Sequence, residues 1–142
     1  MVIENKITKF VIKPKQLVDK INLISTKIID SRWYLDDEEK GLKEFKQNHI
    51  EGAIFFNIEK MSKNLNELPH MFPDKKQFSE FARNNGIRKT HEIIIYDQTG
   101  FFCSSRVWFT FMYYGFKNIK ILDGGIENWK KNKLPLTRKI KA

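Results

Sequence analysis

The sequence predicts an α/β chain with a central parallel sheet of about five strands and helices on both faces. Three observations carry this. Short apolar, β-branched runs alternate with segments of helical hydrophobic spacing from Phe10 to Trp129. Polar and glycine-rich turns separate them. The 142 residues suit one hydrophobic core, and 41% hydrophobic with 30% charged residues is a globular balance.

Phe10, Val11 and Ile12 read as a brief strand. Pro14 then opens a helix, where its missing N–H costs little, and that helix is expected to bury Leu17, Val18 and Ile21. The stretch Lys27 to Ser31 is a buried strand running into Asp30-Ser31-Arg32. Acidic residues Asp36 to Glu39 favour the start of a helix carrying Leu42 and Phe45. Gly52 to Phe56 is the next strand, and Asn57 to Pro73 is expected as a long loop, of the kind that often carries function. Asp74 caps a helix burying Phe78 and Phe81, closed by Asn85-Gly86.

Glu92 to Tyr96 is the most apolar strand. It enters the turn Asp97-Gln98-Thr99-Gly100 and a helix bearing Val107, Trp108, Phe111 and Met112. Ile119 to Leu122 is the last strand, and Gly124-Gly125 turns the chain into a helix with Ile126 and Trp129. Ligands in such sheets lie at the carboxyl ends of the strands. The loops after Ile29, Phe56, Tyr96 and Leu122 are therefore where chemistry belongs.

The net charge of +9 raises a nucleic-acid partner, but 21 lysines against 5 arginines, scattered along the chain, favour a solvated surface. Neither nucleic acid nor membrane is expected as a partner; the charge-free run Val107 to Phe116 is too short to span a bilayer. One cysteine makes no intrachain disulfide and no Cys-rich zinc site, so no metal or cofactor is expected. With no signal-like apolar start, a reducing, cytoplasmic setting follows as the expectation.

Six motifs stand in order: Asp30-Ser31-Arg32-Trp33-Tyr34-Leu35, His49-Ile50-Glu51-Gly52-Ala53, Phe55-Phe56-Asn57-Ile58, Leu68-Pro69-His70-Met71, Ser105-Arg106-Val107-Trp108 and Leu122-Asp123-Gly124-Gly125. With them the sequence resembles the rhodanese family over about residues 8–138. More narrowly, it resembles the N-terminal domain of two-domain thiosulfate and 3-mercaptopyruvate sulfurtransferases. The resemblance implies a three-layer rhodanese-like fold across residues 1–142 as one domain, with the family's C-terminal catalytic domain lying outside this sequence or in a separate chain.

Family chemistry runs through a cysteine thiolate that takes a sulfane sulfur as a persulfide. By the resemblance that nucleophile position falls on Asp97, and a carboxylate forms no persulfide. The chain alone is therefore expected to be inactive. Gln98, Thr99, Gly100, Phe101 and Phe102 form the corresponding active-site-like loop. Read from the residue alone, Asp97 caps the turn and helix that follow. The resemblance also assigns Glu59 and His70 to assist a partner domain's catalytic site, in the general-base manner of a Ser–His–acid set. Glu59 stands where relatives usually carry Asp; the plainer reading makes both solvated surface residues.

Asp30, Arg32, His49 and Arg106 read as scaffold, with Arg106 expected to pair with Asp97 or Asp123 and His49 to bond near the next strand. Trp33 and Tyr34 either cover the core or face a partner. Cys103 is either a nucleophile or, more in keeping with a lone free cysteine, a small packed residue. A Cys-x5-Arg phosphatase loop is excluded, because Phe109 stands where the arginine belongs. The expected function is sulfane-sulfur transfer from thiosulfate or 3-mercaptopyruvate together with a Cys-bearing domain. The alternative is a stand-alone, catalytically inactive module that binds a protein.

Overall fold

The computed structural model describes residues 10–62 and 73–140. Strands β1 (Val11–Ile12), β2 (Thr26–Asp30), β3 (Ile54–Phe55), β4 (Glu92–Tyr96) and β5 (Ile119–Leu122) form one sheet in the order β1-β5-β4-β2-β3. Every pairing in it is parallel. The helices among the described residues are α1 (Pro14–Val18), α2 (Lys40–Gln47), α3 (Ile58–Ser62), α4 (Lys75–Asn84), α5 (Ser104–Tyr113) and α6 (Gly125–Lys131). This is the α/β architecture the sequence implies.

Strand periodicity explains the layers. Side chains alternate across a sheet, so β4 sends Ile93 and Ile95 to one face and Ile94 and Tyr96 to the other. The first pair packs with Ile29, Phe78 of α4, and Val107 and Phe111 of α5. The second packs with Ile28, Leu17 of α1, Phe45 of α2, and Ile126 and Trp129 of α6. A strand buried on both faces must be apolar throughout, as Ile93-Ile94-Ile95 is.

Several local expectations change. The third strand covers only Ile54–Phe55, because Gly52 turns the chain at φ +83° and the Ala53 N–H is spent on the Ile50 carbonyl. The segment from Asn57 opens with α3 rather than a loop; Asn57 Oδ1 accepts the Lys60 N–H at 3.0 Å and so caps it. Val18, expected in the core, is exposed, and Met112 is exposed too. Val18 ends a helix of 5 residues, and Met112 lies on the outer face of α5 with Phe109 and Tyr113.

The topology positions the site. From β2 the chain moves outward to β3, then returns to place β4 on the other side of β2. The connection thus reverses direction between β2 and β4, and the carboxyl ends of those strands flank the crevice where open α/β sheets take ligands. Ser31 ties the two ends together: its N–H and its hydroxyl both donate to the Tyr96 carbonyl, at 2.8 and 2.9 Å.

Candidate functional site

Asp97 follows the last residue of β4 and is fully buried. Its carboxylate accepts four backbone N–H groups. Oδ1 takes those of Thr99 at 3.1 Å and Gly100 at 2.6 Å; Oδ2 takes those of Cys103 at 2.7 Å and Ser104 at 2.9 Å. The chain has therefore wrapped an anion cradle around its own side chain, and the same contacts satisfy otherwise orphaned donors at the start of α5. Gly100 permits the wrap by adopting φ +149°. The Ser104 hydroxyl donates to the Gly100 carbonyl and closes the loop.

The start of α6 buttresses the loop from behind. Ile126 N–H donates to the Asp97 carbonyl at 2.9 Å and Glu127 N–H to the Gln98 carbonyl at 3.1 Å. Only glycine fits at 125: its φ is +63°, and a Cβ there would stand 2.6 Å from the Asp97 carbonyl oxygen. The turn at Gly124-Gly125 thus has the left-handed angles its sequence suggests.

Cys103 is buried, and its thiol donates to the Trp33 carbonyl at 3.4 Å, with Gln98 Oε1 at 3.8 Å. Burial, followed by the nearby Asp97 carboxylate, pushes the thiol up to about 12. At neutral pH this sulfur is a protonated hydrogen-bond donor rather than a nucleophilic thiolate. Gln98 Nε2 donates to the same Trp33 carbonyl at 2.6 Å. Phe101 and Phe102 turn outward and are 51% and 66% exposed.

Behind the rim lies a buried polar network. Arg32 clasps Asp30 through Nε at 3.1 and 3.2 Å and Nη2 at 2.8 Å, and the Tyr96 hydroxyl donates to Asp30 Oδ2 at 2.8 Å. Burial pushes the Asp30 carboxyl up from its ordinary value, and the Arg32 guanidinium is the chief force restraining that rise. Arg32 Nη2 also reaches the Asn48 carbonyl at 2.8 Å. These contacts weld β2, β4 and the end of α2.

A family model for the rhodanese-like domain matches residues 13–132. The chain belongs to the rhodanese family. A probable 3-mercaptopyruvate sulfurtransferase of Schizosaccharomyces pombe is 33% identical over 130 residues, covering 89% of this chain and 44% of that protein. The human 3-mercaptopyruvate sulfurtransferase is 34% identical over 113 residues, covering 78% of this chain and 38% of its own length. Among solved structures, SseA from Escherichia coli, described as a 3-mercaptopyruvate sulfotransferase, superposes with a TM-score of 0.86 at 29% identity; the match covers 94% of this chain and 52% of that one. The rhodanese domain thus spans less than half the length of the curated relatives it matches.

In this rhodanese domain the structure gathers Asp97, the loop through Phe102, Trp33 and Glu59 at the carboxyl rim. Glu59 lies in the first turn of α3, and its Oε1 accepts the Trp33 indole N–H at 3.1 Å. His70 lies outside the described residues. Arg106 departs from expectation: among the described residues it forms no ion pair with Asp97 or Asp123, because the Asp97 oxygens are already filled by backbone donors. His49 stands away from the rim. Its buried ring stacks on Phe45 with centroids 4.1 Å apart, Nδ1 lies 2.6 Å from the Phe45 carbonyl and Nε2 lies 2.9 Å from that of Lys139. It therefore pins the C-terminal segment to α2, rather than bonding at the next strand.

Sequence reasoning missed the central part of Trp33. Its indole is a lone donor, and its backbone carbonyl serves two side chains from another loop. A tryptophan directly after a strand-end Asp-Ser-Arg was the available signal, but carbonyl acceptors leave no mark in a sequence.

Proposed function

We propose that this rhodanese domain works in sulfane-sulfur transfer from thiosulfate or 3-mercaptopyruvate, as the non-nucleophilic partner of a second, Cys-bearing rhodanese domain. The supporting observation is the Asp97 carboxylate seated on four backbone N–H groups at the end of β4. In persulfide chemistry a thiolate attacks the sulfane sulfur. The bond from that sulfur to the donor breaks, and its electron pair leaves with sulfite or with the pyruvate fragment. An oxygen anion already held by four donors is a poor nucleophile toward sulfur, and it keeps another anion out of the cradle. The protonated, buried thiol of Cys103 offers no substitute.

The reading leaves Glu59 at the rim, where a partner's catalytic loop would meet it. By the family resemblance His70, which lies outside the described residues, is the second member of the proposed pair. The names of the relatives agree with this substrate class, and their greater length agrees with a second domain.

The test compares thiocyanate formation from thiosulfate or 3-mercaptopyruvate and cyanide in two samples. Residues 1–142 alone are expected to give none above the uncatalysed blank. The same chain joined to a Cys-bearing rhodanese domain is expected to turn over faster than that domain by itself. Turnover by the isolated chain, or no gain from adding it, would overturn the proposal; the second result favours the stand-alone binding module.

A further inference from the structure

We infer that Trp33 is a positioning residue: its indole holds the Glu59 carboxylate at the rim, and Gln98 and Cys103 in turn hold Trp33. The catalytic part of this inference rests on the reading in which Glu59 serves a partner domain's site. The brace itself rests on contacts within this chain.

Those contacts span the crevice between the ends of β2 and β4, where the topology reverses. On the β2 side, the Trp33 carbonyl receives Gln98 Nε2 at 2.6 Å and the Cys103 thiol at 3.4 Å, both from the β4 side. On its other end, the indole Nε1 donates to Glu59 Oε1 at 3.1 Å, on the helix that follows β3. One residue therefore couples three strand-end segments. Each link uses a different donor, so losing one need not break the others.

Glu59 has a flexible side chain on a helix of only 5 residues. Such a carboxylate samples several rotamers unless a fixed donor selects one. A rigid indole supplies that selection, and the hydrogen bond to an ionised acceptor is of the stronger, charge-assisted kind. The bond gives a glutamate, one methylene longer than an aspartate, a fixed donor at the rim. Cys103 takes part as an S–H donor, a role that requires the thiol to stay protonated, as its burial ensures.

Two readouts test the inference. On the isolated chain, the Trp33 indole N–H resonance is expected to move on Glu59→Gln, while those of Trp108 and Trp129, which donate to the Ile119 and Pro135 carbonyls, stay in place. An unmoved Trp33 resonance would overturn the brace. In the assembly with a Cys-bearing rhodanese domain, Trp33→Phe is expected to lower kcat about tenfold with KM nearly unchanged. Trp33→Phe combined with Glu59→Gln should then be no slower than Glu59→Gln alone, since both act through one carboxylate. Fully additive losses, or an unchanged kcat, would overturn the positioning role. An assembly whose unmutated form shows no turnover would remove the functional reading and the catalytic role together, and the indole resonance would still decide the brace. Thermal unfolding of each variant separates lost positioning from lost fold, and Glu59→Gln, on a half-exposed helix, gives a second route where Trp33→Phe unfolds.

Discussion

The backbone N–H of Cys103 donates to the Asp97 carboxylate at 2.7 Å, while the thiol of the same residue donates to the Trp33 carbonyl at 3.4 Å. One residue thus joins the anion cradle to the loop across the crevice, using its backbone for the first and its sulfur for the second. The lone cysteine, which invites a catalytic reading from sequence, is a structural donor at the centre of the rim. Its chemistry gives the first prediction.

Burial raises the Cys103 thiol from an unfolded value of 9.0 to about 12. Between these values the unfolded chain has lost a proton that the folded chain keeps. Stability supplied by the protonated thiol is therefore complete below about pH 9 and declines above it, at up to about 1.4 kcal/mol per pH unit until the folded thiol itself titrates. Denaturant melts of the native chain and of Cys103→Ser, compared from pH 7 to 11, should diverge in this way, because the serine does not titrate there. A constant stability difference across the range would contradict the assignment. Iodoacetamide should leave the native chain unmodified at pH 7.5 and label it fully in guanidinium.

Replacing Asp97 by asparagine keeps the shape and reverses part of the polarity. The amide nitrogen would face two backbone N–H donors and leave them buried without acceptors. A loss of about 2–4 kcal/mol follows from unsatisfied donors and a lost charged acceptor. Urea unfolding measures it; a loss below about 0.5 kcal/mol would mean that the four N–H groups do not depend on the carboxylate.

At the amino end of β4, opposite the site, Glu92 bridges Lys20 at 2.7 Å and Lys120 at 2.5 Å. Burial alone would raise its carboxyl, but the two ammonium groups outweigh it and hold the carboxyl below its ordinary 4.5. A depressed folded value stabilises the fold above that pH, and the contribution is lost as pH falls through the folded value. Glu92→Gln should therefore cost about 1–2 kcal/mol at pH 7 and little once both states are protonated in acid. Melting curves from pH 7 down into acid provide the comparison, and a loss that does not shrink as pH falls would refute the ion-pair origin.

The parts legible in sequence were those that a pattern records. Ile93-Ile94-Ile95 announced a strand buried on both faces, and Gly124-Gly125 announced a turn with unusual angles. Short elements escaped. Gly52 and Ala53 look strand-like in sequence but form the turn before the strand Ile54–Phe55, and the 5 residues of α3 show little periodicity. At the site, an acid after the central strand was visible as Asp97, yet its four partners are main-chain groups that any residues supply. The same holds for Arg106, where charge suggested an ion pair and backbone donors had already taken the acceptor.

The cradle also predicts a gain of chemistry. The loop carrying the four N–H groups is also held by contacts that do not use the Asp97 carboxylate: the Ser104 hydroxyl on the Gly100 carbonyl and the α6 N–H groups on the Asp97 and Gln98 carbonyls. In Asp97→Cys the group facing those donors would be a sulfur whose thiolate they favour, lowering its pKa. Attack on thiosulfate then forms a sulfur–sulfur bond at position 97, breaks the bond within thiosulfate, and releases its electron pair with sulfite. Intact mass after thiosulfate treatment should show one added sulfur atom in this variant and none in the native chain, and cyanide should remove it as thiocyanate. A folded variant that stays at its original mass would show that the cradle is shaped for a carboxylate and does not activate sulfur.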